Sequence, residues 1–267
     1  MKPTRRDFLA GGAGLAAGLA LPPGARADAR PVPTVESHDG PPSEIGHKFN
    51  ADGSVRRYPG NTIISPVDPA SPLRRALVAV RDRLRQGAFS RRLAFLPPAS
   101  YHMTIFGGAL DQARGEGAWP RNLPPDAPLE ACHQLFFDAL RRFDLACDPP
   151  FRLRVAPPEA DADPRVALKL EPIDAAEEKR LRDLRDRLAE ALDLRQPDHD
   201  GYFFHISLHY LVDWMTEAEL GDYRKARADS LDRLRSAVPL VEMGPPKFCL
   251  FEDMFAFPPL LTLRRRT

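Results

Sequence analysis

Cysteine is scarce. The 267 residues hold three, Cys132, Cys147 and Cys249, and none sits in a C-x-x-C pair. An odd number cannot close a complete disulfide set, and the missing pair speaks against a zinc ribbon or a thioredoxin-type site. One pair plus a free thiol is open to such a set, and three buried thiols is the favoured reading. A dominant charge sign is missing too: 38 Lys and Arg stand against 37 Asp and Glu, a net of +1. That is too little for a chain built to coat nucleic acid or an anionic membrane. A small substrate fits better, with no stable nucleic-acid partner. No G-x-S-x-G elbow is present, which sets aside a serine hydrolase. Gly107-Gly108 and Gly11-Gly12-Ala13-Gly14 lack the full glycine pattern of a dinucleotide or P-loop site. What is abundant is proline, 29 residues, many in pairs such as Pro97-Pro98, Pro149-Pro150 and Pro245-Pro246. These punctuate loops, because proline fixes φ and has no N–H.

The N-terminus reads as an address. Thr4-Arg5-Arg6-Asp7-Phe8-Leu9 resembles the twin-arginine export motif; a weakly apolar stretch from Phe8 to Leu21 follows, too short to span a bilayer, and Ala25-Arg26-Ala27 is an A-x-A cleavage pattern. The expected partner is the twin-arginine translocation machinery, the expected location periplasmic or secreted, and no membrane span remains after cleavage. Cleavage after Ala27 leaves 240 of the 267 residues and removes Lys2, Arg5, Arg6 and Arg26 against Asp7, a net of +3, so the mature chain stands at −2 rather than +1. The intact mass of the exported protein checks this; a mature chain that still begins at Met1 would refute it.

The organisation expected is a signal peptide over 1–27, a Pro- and Gly-rich lead-in over 28–47, and a single domain over 48–267. Leu73, Leu77, Val80 and Leu84 predict a helix from Pro72 to Gln86, with Pro72 suited to a first turn. Leu129, Cys132, Phe136, Leu140 and Phe143 share one face of a second helix over 128–143. A third is predicted over 174–194, started by a capping box at Asp174–Glu177, with Leu181, Leu184, Leu188 and Leu192 buried and its charged face solvated. A fourth runs from Thr216 to about Ala237. A turn entering a strand is predicted at 60–64, strands at 93–95, 101–106, 151–155, 166–170 and 205–212, and one or two more over 247–263. Helices and strands interleave twice on a similar plan, which points to an α+β protein with two similar lobes.

Two short motifs carry the chemistry. Side chains at i and i+2 share one face of a strand. His102, Thr104 and Phe106 are therefore predicted on one face, opposite Tyr101, Met103 and Ile105. In the second segment Phe203, His205, Ser207, His209 and Leu211 are predicted opposite an apolar face of Phe204, Ile206, Leu208, Tyr210 and Val212. Burying the polar face would leave several unsatisfied groups at about 1–3 kcal/mol each, so a wet groove is the cheaper arrangement. Two imidazoles with ordinary pKa near 6.5 can act at neutral pH as one base and one acid, as opening a phosphodiester requires. The hydroxyls can hold non-bridging oxygens, and no metal or other cofactor is needed. His205 and His209 make a poor metal pair, since four strand positions span about 13 Å.

His102-x-Thr104 and His205-x-Ser207 resemble the double H-x-[ST] signature of the 2H phosphoesterases, the LigT-like and cyclic-phosphodiesterase superfamily. Lys48-Phe49-Asn50-Ala51-Asp52-Gly53, Gly60-Asn61-Thr62, Leu96–Thr104 and Phe204–Leu208 further resemble an uncharacterised 2H-like family of unknown function. The resemblance implies a bilobal fold: two antiparallel sheets with outer helices around a central groove, related by a pseudo-twofold. It implies a metal-independent phosphodiesterase acting on a cyclic phosphate or small, nucleotide-like phosphodiester. His102 and His205 would be the acid–base pair, and Thr104 and Ser207 the phosphate ligands. His209, Asn61 and Tyr101 are candidate substrate contacts. The competing expectation is an exported ligand-binding protein with the same groove and no catalysis.

Overall fold

The computed structural model describes residues 40–158 and 168–266, all within one compact unit spanning Thr34–Thr267. The signal segment and the lead-in as far as residue 39 lie outside the described residues. Two four-stranded antiparallel sheets form the frame. The first has the order β10 (Pro259–Thr262), β9 (Lys247–Phe251), β1 (Gly60–Pro66), β3 (His102–Leu110), and the second β6 (Phe204–Ile206), β5 (Leu168–Pro172), β4 (Phe151–Val155), β8 (Val241–Met243). A third pair joins β2 (Leu93–Phe95) to β7 (His209–Leu211). The motif-bearing strands β3 and β6 are edge strands of the two sheets and lie against one another.

Four α-helices back the sheets among the described residues. In α1 (Pro72–Arg85) the Ser71 hydroxyl accepts the Arg74 N–H, and Leu73, Leu77, Val80 and Leu84 are buried, as the spacing predicted. α2 (Leu129–Leu140) buries Leu129, Cys132, Phe136 and Leu140. α4 (Glu217–Ala237) opens with a complete capping box between Thr216 and Glu219, whose carboxylate also pairs with Arg91 and Arg92 ahead of β2. α3 (Ala175–Ala191) keeps half of its box. Asp174 accepts the Glu177 N–H, but the buried Glu177 carboxylate turns inward and accepts the Arg152 N–H of β4 at 3.1 Å.

Three expectations are corrected. The stretch from His205 to Val212 is not one strand. β6 ends at Ile206 and pairs with β5, while β7 begins at His209 and pairs with β2. The charged face of α3 is not wholly solvated either: Arg185 has no exposed surface, and donates to the carbonyls of Ile105 at 2.6 Å and His199 at 3.3 Å.

The third concerns β3. Its pairing with β1 slips twice, opposite Asn61 and between Ile63 and Ile64. Each slip places an extra residue on β3, and a bulge of this kind resets which side chains face which side. Phe106 is therefore buried in the core instead of sharing a face with His102 and Thr104; Gly107 takes the groove side. The second motif does the same at its break. His209 leaves the groove side and Tyr210 enters it. In both motifs the next groove-facing residue comes three positions after the hydroxyl, Gly107 after Thr104 and Tyr210 after Ser207. The backbone groups freed by these irregularities find partners. Arg185 takes the Ile105 carbonyl, the Leu96 N–H donates to the Leu208 carbonyl at 2.9 Å, and the Asn61 carboxamide accepts the Ala109 N–H at 3.1 Å.

Candidate functional site

Where the edges of β3 and β6 meet, an open cavity of about 250 Å³ is lined by both motifs together: His102 and Thr104 from one, His205 and Ser207 from the other. Each histidine is held in the same way. The His102 Nδ1 lies 2.7 Å from the Ser100 carbonyl, and the His205 Nδ1 lies 3.0 Å from the Phe203 carbonyl. A carbonyl only accepts, so each Nδ1 carries the proton, and each neutral ring keeps its lone pair on Nε2. Both bonds run two residues back along the chain, so the motif sets its own imidazole orientation locally. An aromatic ring backs each imidazole, Phe257 at 4.4 Å from His102 and Phe203 at 5.1 Å from His205.

Burial, with repulsion from His205 adding to it, pushes His102 down to about 4 against the pull of its bond to Ser100. Burial also lowers His205. The Phe203 carbonyl opposes the shift, Lys48 adds to it, and Asp198 opposes it. Both rings of the free protein are therefore neutral at neutral pH. Tyr202 joins the lobes: its ring stacks on the Arg185 guanidinium at 4.0 Å, and burial drives its hydroxyl up to about 12 while a hydrogen bond to Thr104 pulls the other way.

The remaining candidates separate. Asn61 lines the cavity, but it is 1% exposed and spends its oxygen on Ala109, so it clamps the second bulge. Tyr101 faces the core, 1% exposed and outside the cavity lining, as the i−1 neighbour of His102 must on a strand. It is not a groove contact. His209 lies outside the lining as well. The break before β7 turns it toward Phe95 and Tyr223, where burial, helped by Arg227, lowers it to about 3. Asp186 of α3 clusters with His199 and Asp200 of the loop before β6, with Arg195 donating to both carboxylates. The three thiols carry no disulfide; Cys132 and Cys249 are buried and Cys147 half-buried. Burial holds Cys132 at about 11 and Cys249 at about 12, so neither is a thiolate at neutral pH.

Sequence reading missed Lys48, Tyr58, Gln196, Tyr202 and the apolar wall of Phe251, Met254 and Phe257, all of which line the cavity. The Lys48 ammonium is 3.1 Å from Glu44 and lies 5.0 Å from the Tyr210 ring and 5.7 Å from the Tyr58 ring. Burial alone would lower it, but Tyr210, Glu44 and Tyr58 together hold it above its ordinary value. Phe49, fully buried against Tyr210 and Phe255, anchors the segment that carries it.

The lowered histidines make stability depend on pH. His102, His133, His205 and His209 all titrate below their ordinary value when folded. As pH falls below about 6.5 the unfolded chain takes up protons that the folded chain refuses, so stability present above that pH is lost progressively toward about pH 4. The thermal midpoint is expected to fall between pH 7 and 5, before the carboxylates contribute much, and His209→Phe is expected to reduce that fall. Calorimetry across the window checks it, and a midpoint that is flat or rising as pH drops would refute it.

A family described as 2H-phosphodiest, domain of unknown function (DUF1868), matches residues 48–162, which include the first motif. The signal sequence of the twin-arginine translocation pathway matches residues 2–22. No curated protein matches. Among solved structures, the conserved protein of unknown function ATU0111 from Agrobacterium tumefaciens str. C58 superposes with a TM-score of 0.78 at 34% identity, covering 84% of this chain and 94% of its own. TT0787 of Thermus thermophilus gives a TM-score of 0.41 at 20% identity over 78% of this chain and 99% of its own. No helix among the described residues is long and apolar enough to cross a membrane. The chain is a periplasmic or secreted protein that carries a twin-arginine signal and belongs to the 2H-phosphodiesterase family of unknown function.

Proposed function

We propose that the groove hydrolyses a cyclic phosphate or small phosphodiester, with His102 and His205 as the acid–base pair and Thr104 and Ser207 holding the non-bridging oxygens. One observation carries the reading: two imidazoles in one cavity, each with its Nδ1–H spent on the carbonyl two residues back and its Nε2 left to the groove. One Nε2 takes the proton of an attacking water as its oxygen bonds to phosphorus. The other, protonated, gives its proton to the leaving oxygen as the ester bond breaks. Proton, nucleophile and leaving group balance with side chains alone. Both rings are neutral in the free protein, so one imidazole takes up the acid's proton from solvent as the substrate binds, because the substrate's negative charge raises its pKa. The wall of Phe251, Met254 and Phe257 beside His102 suits a substrate with a flat or apolar part next to its phosphate.

The test is hydrolysis of a panel of 2′,3′-cyclic nucleotides and other small phosphodiesters by the mature protein and by its His102→Ala and His205→Ala variants, in EDTA. Activity that survives EDTA and falls in both variants supports the reading; equal activity in all three ends it. Tight nucleotide binding without turnover of any ester identifies a binding protein instead.

A further inference from the structure

We propose that Lys48 contacts the phosphoryl group and supplies the permanent positive charge of the site, an assignment that rests on the phosphoester reading above. Among the described residues lining the cavity, Lys48 is the one lysine or arginine. The two imidazoles beside it are neutral in the free protein at neutral pH. An anion approaching this cavity meets one fixed cation, and a pentacoordinate phosphoryl group carries more negative charge than either of its neighbours on the reaction path. Preorganised positive charge at that point stabilises the transition state more than the bound ester.

The geometry suits the task. The Lys48 ammonium lies over the Tyr58 and Tyr210 rings and has three donors. Glu44 takes one at 3.1 Å, leaving two for oxygens in the groove. Glu44 keeps the ammonium charged and positioned, and it lies outside the cavity lining. The position is rigid. The Arg56 N–H donates to the Lys48 carbonyl at 2.8 Å, and the next residue, Phe49, is fully buried. Lys48 also reaches the second motif electrically, since its charge is among the causes that lower His205. The groups facing it are His205, Tyr58, Tyr210 and Glu44. Lys48 and the bound phosphate therefore act on His205 in opposite directions, beside the Phe203 carbonyl and Asp198.

Lys48→Met keeps a side chain of similar length and removes the charge; Lys48→Arg restores a cation; Glu44→Gln keeps the lysine and removes its partner. Binding of inorganic phosphate is measured by calorimetry at low and moderate salt. Lys48→Met is expected to weaken binding about 10- to 100-fold, the size of one lost charge-assisted hydrogen bond, and to flatten its salt dependence. Lys48→Arg recovers part of the loss, and Glu44→Gln binds as well as the wild type or better. Histidine titration by NMR on the same ligand-free proteins is expected to show His205 moving up in Lys48→Met, which a merely structural residue would not produce. Phosphate bound equally by wild type and Lys48→Met, or not bound by wild type, overturns the assignment. If phosphate binding follows Lys48 but no phosphodiester is cleaved, Lys48 stands as the anion contact and the acid–base reading falls. If hydrolysis depends on His102 and His205 and is untouched by Lys48→Met, the reverse holds.

Discussion

Alanine at either His102 or His205 is expected to lower kcat/KM for a cleavable phosphodiester by about 10²–10⁴-fold, and the double variant by little more than the worse single one. Acid and base act in one concerted step, so removing either leaves the other without its partner, and such losses do not add. Folding does not explain the loss. Each ring's hydrogen bond is a local one, to a carbonyl two residues back, so its loss breaks no hydrogen bond between distant elements. The pH dependence gives a second reading of the same pair. In the free enzyme one ring must be protonated and the other neutral, and both titrate below their ordinary value. The optimum of kcat/KM is therefore expected below about pH 6.5. The optimum of kcat lies higher, because bound phosphate raises both rings. Lys48, Tyr58 and Tyr202, which also face the groove, are all raised above their ordinary values and change charge far above that range. A kcat/KM optimum on the alkaline side, or an undiminished rate in either variant, would refute the assignment of the pair.

Both motifs were legible in the sequence because their information is local. A histidine and a hydroxyl two positions apart leave an unbulged strand by the same face. The helices were legible for the same reason, with Leu73–Leu84 and Leu181–Leu192 writing their buried faces as plain periodicity. The misreadings all begin where local periodicity is interrupted by a partner far along the chain. Nothing in Met103–Gly108 announces that β3 carries one residue more than β1 opposite Ile105. Once it does, Phe106 belongs to the core, and the freed Ile105 carbonyl draws Arg185 inward from a helix 80 positions away. The break at Leu208 acts likewise, turning His209 away and bringing Tyr210 in. Lys48 lies in a segment with no period at all. Its place in the groove comes from the anchoring of Phe49 against Tyr210 and Phe255, a tertiary contact that no spacing encodes.

The second bulge of β3 leads to the largest expected effect on stability. A Cβ on Gly108 would lie 2.0 Å from the Asn61 side-chain oxygen and 2.3 Å from the Asn61 backbone oxygen. Neither atom can retreat easily. The side-chain oxygen accepts the Ala109 N–H, and the Asn61 backbone sits in the β1 ladder between β3 and β9. Gly108→Ala must therefore push β1 and β3 apart, and it is expected to destabilise the protein by about 3 kcal/mol or more, at the upper end of what overpacking costs. For a domain of this size that lowers the thermal midpoint by about 6–12 °C. Gly201→Ala is the matched control, since its Cβ would meet nothing within 4 Å; it is expected to stay within about 0.5 kcal/mol of wild type. The catalytic loss should exceed what the unfolded fraction explains, because Asn61, Gly107 and Gly108 all line the cavity. Opening this corner releases Gln196, whose amide donates to the Gly108 carbonyl at 3.3 Å and whose side chain occupies the space beside Gly107. A Gly108→Ala protein as stable and as active as Gly201→Ala would show that the bulge is not pinned by Asn61. The register that brings Thr104 into the groove beside Gly107 would then need another cause.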